Sequence, residues 1–181
     1  MERLWTPWRM TYVSGAGSEH PQGEAPRGEG ASAPAGTSGG PACFLCAMIA
    51  EDRDEANLIV HRAELGFIVL NLYPYNSGHV MVAPYTHVGD LALLPPEVGH
   101  ALFDLTRRAV EALRQEYRPD GFNVGLNLGR AGGAGLPEHL HIHVVPRWHG
   151  DTNFMPVLGQ TKVLPEALDQ TLTRLRRRLS E

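Results

Sequence analysis

The stretch from Glu138 to Arg147 places histidines at three alternate positions, 139, 141 and 143: Glu-His-Leu-His-Ile-His-Val-Val-Pro-Arg. Side chains alternate across a strand, so the pattern predicts a strand over His139–Val145 with one histidine face and one Leu-Ile-Val face. Neighbouring histidines would lie about 6.6 Å apart, at roughly 3.3 Å per residue. The apolar face explains folding. It does not explain three adjacent imidazoles, since a buried imidazole needs hydrogen-bond partners, so the histidine face indicates chemistry.

The rest of the apolar pattern predicts a mixed fold. Short apolar runs predict strands at residues 58–60, 67–70, 80–82 and 121–128. Apolar residues at steps of three and four predict a helix from Pro96 to about Tyr117 and a second from Leu164 to Leu179. We therefore expect an α+β domain with a mainly antiparallel sheet of about five strands and two main helices.

The first quarter of the chain differs in composition from the rest. In residues 14–42, Gly, Ala, Pro and Ser account for 22 of 29 positions, without any Leu, Ile, Val or aromatic residue. Such a segment cannot bury enough apolar surface to offset its ordering entropy, which predicts a flexible insertion. Residues 1–13 carry two of the three tryptophans and are predicted to form an arm that docks on the body. Residues 43–181 are the expected domain.

Charge and hydropathy exclude two classes of partner. The net charge of −4 argues against nonspecific nucleic-acid binding. The longest apolar run, Phe44–Ala50, is far shorter than the roughly 20 residues of a membrane span. The first residues lack the apolar stretch of a signal peptide. These observations predict a cytoplasmic protein that contacts neither nucleic acid nor membrane.

A glycine-rich loop directly precedes the histidine stretch. Four of the seven residues at positions 129–135 are Gly, and glycine lets backbone N–H groups approach a phosphate closely. Histidines spaced two apart on a strand could chelate a metal, or one could act as a nucleophile. The loop favours the nucleophile, attacking an α-phosphate to form a nucleotidyl-histidine that water or inorganic phosphate then cleaves. Arg130 and Arg147 could add positive charge nearby.

These residues resemble the histidine triad (HIT) family, whose signature is His-φ-His-φ-His-φ-φ with φ apolar. Residues 139–145 match that signature in full. Residues 4–10, 71–79 and 147–154 resemble the bacterial branch related to diadenosine tetraphosphate phosphorylases. The resemblance implies a HIT-like fold and a homodimer formed through a shared sheet.

The resemblance also implies roles for individual residues. The middle triad histidine of the family is the nucleophile, which corresponds to His141, with His143, His139 and His79 as its active-site neighbours. Asn71 occupies the ribose-binding position. The phosphate-binding stretch of the family corresponds to Asn127, Gly133, Ala134 and Gly135. At position 135 relatives commonly carry Gln or Ser, and this departure affects the leaving-group contact and the choice between water and phosphate.

Cys43-x-x-Cys46 provides half of a zinc site. The resemblance to some bacterial HIT proteins implies that His87 and His139 complete it. Zinc bound there would make His139 structural rather than catalytic. The alternatives are two buried cysteines that act as small hydrophobic residues and, with less support, a redox pair.

The expected function is cleavage of dinucleoside polyphosphates such as diadenosine tetraphosphate, with phosphorolysis preferred over hydrolysis. A purine nucleoside phosphoramidase would use the same nucleophile, so the sequence separates the two substrate classes poorly. A nucleotide-binding module without catalysis is the third reading, which an intact triad disfavours.

Overall fold

A computed structural model describes residues 43–151 and 166–180. The predicted arm (1–13) and insertion (14–42) lie outside the described residues. Three α-helices and five strands form the described part: α1 (Phe44–Ala50), β1 (Ile59–Arg62), β2 (Gly66–Leu70), β3 (Val80–Pro84), α2 (Pro96–Tyr117), β4 (Gly121–Leu126), β5 (Ile142–Arg147) and α3 (Leu168–Ser180).

The strands form one antiparallel sheet in the order β1-β2-β3-β5-β4. The predicted α+β class, the five-stranded antiparallel sheet and the two main helices are confirmed. The helix that sequence analysis missed is α1, whose apolar run was considered only as a membrane span. No helix in the part of the chain described here combines the length and the apolar character needed to cross a bilayer.

Each face of the sheet has its own core. Helices α2 and α3 cover one face, where Leu140 and Val144 are buried and Ile142 is partly buried in the same cluster. This confirms the predicted Leu-Ile-Val face. On the other face, Leu45 of α1 and Leu136 pack against Phe67 and Met81. Fully burying a side chain such as Phe67 contributes about 1.5–3 kcal/mol.

Strand β5 begins three residues later than predicted. His139–Val145 was the expected strand, but pairing with β3 starts at Ile142, opposite Val82. Extending this register would place Leu140 opposite Pro84, which has no N–H to donate to the ladder. The N–H of Leu140 donates instead to the Val88 carbonyl, 2.7 Å away. His139 and His141 therefore lie on an irregular segment just before the strand.

Two other predicted boundaries also shift. Strand β4 ends at Leu126 rather than residue 128, because the chain then turns through Gly129 at a positive φ of 65°. Helix α3 begins at Leu168, and the two residues before it, Glu166 and Ala167, are not helical. The Glu166 side chain binds Tyr117, Thr171 and Arg174, which fixes the entry to the helix.

Candidate active site and metal centre

Two histidines at the end of the sheet form a directed hydrogen-bond chain. The Tyr75 main-chain N–H donates to Nδ1 of His79 over 3.0 Å. An amide can only donate, so Nδ1 of His79 is unprotonated and its hydrogen lies on Nε2. Nε2 of His79 lies 3.0 Å from Nδ1 of His143 and donates to it. The hydrogen of His143 therefore lies on its Nε2, and the chain ends on a donor.

The ring of His141 is oriented in the opposite sense. Its Nδ1 lies 2.8 Å from the main-chain oxygen of His139. A carbonyl oxygen can only accept, so Nδ1 of His141 carries the hydrogen and Nε2 keeps its lone pair. The rings of His141 and His143 meet edge to face with centroids 4.9 Å apart. The neutral His141 ring thus has an unprotonated Nε2, and the adjacent His143 ring has a protonated Nε2.

Burial keeps His143 neutral. Desolvation, together with a smaller effect of the neighbouring His141 charge, lowers its pKa from 6.5 to about 4. His79 and His141 are also buried, with 1% and 7% of their surfaces exposed. A neutral His143 keeps its Nε2 hydrogen next to the His141 ring, and this hydrogen can be donated to a phosphoryl oxygen.

The remaining histidine of the triad, His139, belongs to a different group of side chains. Sequence analysis predicted all three histidines on one face, but the His139 ring packs edge-on against His87 at 5.3 Å. Its Nε2 donates to the Pro84 carbonyl over 2.9 Å, which leaves the lone pair on Nδ1. That Nδ1 lies 3.3 Å from Sγ of Cys43 and 3.5 Å from Sγ of Cys46.

Four side chains converge on one point and can hold a metal ion: Cys43, Cys46, His87 and His139, with their ligand atoms all within 4.8 Å of one another. The residues fit a tetrahedral ion, because two sulfurs and two imidazole nitrogens are a typical zinc donor set. The Pro84 carbonyl also holds His139 in the tautomer that a metal ligand needs. Sequence analysis predicted these four positions.

Protonation opposes metal binding at one of the cysteines. Burial, a hydrogen bond with Cys43 and the charge of Cys43 raise the pKa of the Cys46 thiol to about 11. A bound cation therefore has to displace this proton before the thiolate coordinates. Burial lowers the pKa of His139, which favours the neutral imidazole that a metal requires.

The glycine-rich loop is organised partly by its own amides. The N–H of Gly133 donates to the Arg130 carbonyl over 3.0 Å and that of Ala134 to the Gly129 carbonyl over 3.2 Å. Asn127 Nδ2 reaches the Gly133 carbonyl at 3.5 Å. Ala134 is buried, whereas Gly133 and Gly135 are exposed. The amides of Gly133 and Ala134 thus shape the loop instead of pointing to a ligand.

Asn71 lies at the end of β2 and belongs to the loop that leads to His79. Its Oδ1 accepts from the Tyr73 N–H over 2.9 Å, so part of its hydrogen-bonding capacity supports the turn. Its Nδ2 lies 3.5 Å from Nε2 of His79. Both atoms carry hydrogens in the tautomer assigned above, so this is a close approach and not a hydrogen bond. The structure therefore brings this predicted ribose contact next to the histidine chain.

Two residues that sequence analysis quoted only as parts of motifs hold this loop in place. Asn76 donates from Nδ2 to the Pro146 carbonyl over 2.9 Å and to the Asp151 carboxylate over 2.7 Å. Asp151 in turn receives two hydrogen bonds from Arg147. Arg147, expected to add charge near a phosphate, is thus paired with a carboxylate. The sequence signal for these contacts was the set of polar residues within the two motifs at residues 71–79 and 147–154.

Comparisons with known proteins agree with this geometry. Residues 53–150 match the HIT domain family. The AP-4-A phosphorylase of Mycobacterium tuberculosis strain H37Rv is 43% identical over 171 residues, which cover 94% of this chain and 80% of that protein. The Bacillus subtilis protein named Protein hit is 29% identical over 59% of this chain and 71% of its own length.

A solved structure shows the same fold. The zinc-bound histidine triad family protein of Mycobacterium smegmatis superposes with a TM-score of 0.63 at 29% identity, covering 77% of this chain and 94% of that one. The resemblance to the bacterial HIT branch is confirmed. From the match over residues 53–150 and the identity to its mycobacterial relative, this chain belongs to the HIT domain family.

Proposed function

We propose that this protein cleaves dinucleoside polyphosphates such as diadenosine tetraphosphate by nucleotidyl transfer through His141, with inorganic phosphate as the acceptor. The single observation that carries the proposal is the hydrogen bond from Nδ1 of His141 to the His139 carbonyl, because in the neutral imidazole it places the lone pair on Nε2, the nucleophilic atom. The relative named AP-4-A phosphorylase supports the choice of substrate class.

The first chemical step forms the covalent intermediate. Nε2 of His141 attacks an α-phosphorus, a P–N bond forms, and the P–O bond to the remaining polyphosphate breaks. With diadenosine tetraphosphate the leaving group is ATP, and the intermediate is adenylyl-His141. The Nε2–H of His143 is the donor placed to hydrogen-bond a phosphoryl oxygen as charge develops.

The second step releases the nucleotide. An oxygen of inorganic phosphate attacks the adenylyl phosphorus, a P–O bond forms, the P–N bond breaks, and the electron pair returns to Nε2 of His141. The products are ADP and the ATP already released. Gly125 of β4 is paired with His143. A Cβ added at Gly125 would meet no heavy atom within 4 Å. The space beside this glycine is therefore open, which supports access of a substrate to these imidazoles.

We assign zinc to the four-residue metal site, in a structural role. Zinc bound there would supply a cross-link that joins α1, the segment after β3 and the segment before β5, without a net charge once two thiolates coordinate it. Cys43, Cys46, His87 and His139 would hold it, and none of the bond-making steps above involves it. The name of the zinc-bound mycobacterial relative supports this choice of metal.

A homodimer and a cytoplasmic location belong to the same proposal. Strand β4 is an edge strand, and Val124 on it is 49% exposed. Such an edge can pair with that of a second copy. Val124→Lys is expected to shift the protein from dimer to monomer in light scattering. Cys43 and Cys46 are free thiols, which supports a reducing compartment.

We also retain, as a proposal, one HIT domain over residues 43–181 preceded by a docking arm (1–13) and a flexible insertion (14–42). The composition of the insertion supports this organisation. A chain lacking residues 14–42 is expected to keep the turnover of the full chain, whereas a chain lacking residues 1–13 is expected to lose thermal stability.

An acceptor assay tests the reaction class. The full chain is incubated with diadenosine tetraphosphate with and without inorganic phosphate. We expect ADP plus ATP only when phosphate is present. Two ADP, or AMP plus ATP, without phosphate would instead show hydrolysis. His149→Ala, a change at an exposed histidine outside the site, serves as the control for histidine replacement.

A further inference from the structure

Tyr75 lies against the histidine chain although much of its side chain faces solvent. Its ring stacks on the His79 imidazole, with centroids 4.9 Å apart and planes inclined by 27°. The same ring lies 6.3 Å from the His143 ring. Tyr75 is nevertheless 56% exposed. An exposed aromatic ring that stacks on a buried histidine does more than form part of a turn.

We propose that Tyr75 is a positioning residue for His143, acting through His79: its main-chain N–H fixes which nitrogen of His79 is protonated, and its ring fixes the plane of that imidazole. The catalytic readout of this inference rests on the proposed function. Its structural readout, the tautomer of His79, does not.

The main-chain contact sets the direction of the chain. If Nδ1 of His79 were protonated it would face the Tyr75 N–H donor to donor, which the 3.0 Å separation disfavours. The opposite tautomer of His79 would also present a lone pair to Nδ1 of His143. His143 would then have to protonate Nδ1 and would lose its Nε2 donor. One amide thus determines the hydrogen position on two imidazoles.

The ring contact sets the orientation. His79 follows Gly78, whose φ of +78° suits a residue without a side chain. Its N–H donates to the Asn76 carbonyl over 3.1 Å, and its carbonyl accepts from the Asn71 N–H over 3.0 Å. These contacts fix the backbone of His79. The stacked Tyr75 ring and the hydrogen bonds at the two ring nitrogens restrict rotation about its side-chain bonds.

Three single variants separate the two contacts. Tyr75→Phe keeps both the ring and the N–H. Tyr75→Ala removes the ring and keeps the N–H, and Tyr75→Pro removes the N–H. Tyr73→Ala is the matched control, because Tyr73 lies two residues earlier in the same loop and its side chain is 81% exposed.

Nitrogen-15 NMR of histidine-labelled protein reports the tautomers directly, since protonated and unprotonated ring nitrogens resonate far apart. In the wild type and Tyr75→Phe we expect His79 and His143 each to be protonated only at Nε2. Tyr75→Ala keeps the N–H but removes the stacked ring, so the His79 imidazole can rotate out of the plane in which it accepts from that N–H. We therefore expect mixed tautomers at both residues and adenylyl-histidine formation slowed about tenfold, with an unfolding midpoint close to that of the Tyr73→Ala control. Tyr75→Pro is expected to move the His79 hydrogen to Nδ1.

Several results would overturn the inference: pure Nε2 tautomers and a rate within twofold of wild type in Tyr75→Ala, an equal loss in Tyr73→Ala, or a loss in Tyr75→Phe as large as in Tyr75→Ala. If Tyr75→Pro fails to fold, the alanine and phenylalanine variants decide. If even the wild type forms no adenylyl-histidine, the proposed function fails, and the tautomers of His79 and His143 in Tyr75→Ala still decide the role of Tyr75.

Discussion

The main-chain oxygen of His139 accepts the hydrogen of His141 Nδ1, 2.8 Å away, while the side chain of the same His139 faces the two cysteines. One residue therefore contributes its side chain to the candidate metal centre and its backbone to the proposed nucleophile. The N–H of Leu140, between the two histidines, is held by the Val88 carbonyl. The orientation of His141 depends on these contacts because regular strand pairing begins only at Ile142.

This link predicts that losing the metal slows catalysis without removing any reacting group. In His87→Ala we expect zinc content to fall from one ion per chain toward zero and adenylyl-His141 formation to slow about 10- to 100-fold, the range typical of lost supporting contacts at metal sites. The unfolding midpoint is expected to fall as well. Metal analysis, single-turnover kinetics and thermal unfolding measure the three quantities.

The control for this variant is His100→Ala, which removes an exposed histidine from helix α2 and should leave all three quantities unchanged. A His87→Ala protein without zinc that reacts at the wild-type rate would show that the metal centre does not position His141.

The lowered pKa of His143 predicts how the histidine chain responds to acid. The pKa is about 4 in the folded protein, against 6.5 ordinarily, so the folded state favours the neutral ring. This contribution to stability is fully present above pH 6.5 and is lost as pH falls from 6.5 through 4. The hydrogen bond from His79 to His143 should persist below pH 6.5 and be lost near pH 4, because protonated Nδ1 can no longer accept.

A titration of the His143 ring by NMR, run beside the pH dependence of the unfolding midpoint, checks this prediction. The control is the exposed His149, whose signal is followed in the same spectra. A midpoint of His143 at or above 6.5 would contradict the burial argument.

A substitution at Gly135 is expected to speed one step of the reaction instead of slowing it. The family resemblance implies Ser or Gln at this position. The described glycines with positive φ are 78, 129, 133 and 150, so a serine at position 135 would not have to adopt a left-handed backbone. In Gly135→Ser we expect a new hydroxyl donor to speed release of the leaving nucleotide about two- to tenfold, corresponding to about 0.5–1.4 kcal/mol for one hydrogen bond.

Stopped-flow release of ATP measures that step, and Gly135→Ala controls for the added Cβ. The alanine variant should stay within twofold of the wild type. Equal effects of serine and alanine would show that shape, and not the hydroxyl, matters at this position.

The sequence predicted the sheet, its apolar face and the two main helices well, because the period-2 and period-3.6 patterns at Leu140–Val144 and along α2 each match one kind of element. It also brought together Cys43, Cys46, His87 and His139 through the family resemblance, and the structure places their ligand atoms within 4.8 Å. Local periodicity and a shared motif were enough for these features.

Other features depend on contacts between distant segments. Alternation alone put His139, His141 and His143 on one face, since it contained no sign that Pro84 would end the ladder opposite Leu140. The pairing of Arg147 with Asp151 and the stacking of Tyr75 on His79 are tertiary contacts that neither periodicity nor composition encodes. The amides of the glycine-rich loop likewise found partners within the loop itself.

The most direct test is to trap the covalent intermediate. The wild-type chain is mixed with diadenosine tetraphosphate carrying a labelled α-phosphate, quenched within one turnover, and mapped by peptide mass spectrometry. The account predicts an acid-labile adenylyl group on His141, absent in His141→Ala and retained in His149→Ala. An unlabelled polypeptide at every quench time, or full turnover by His141→Ala, would contradict it.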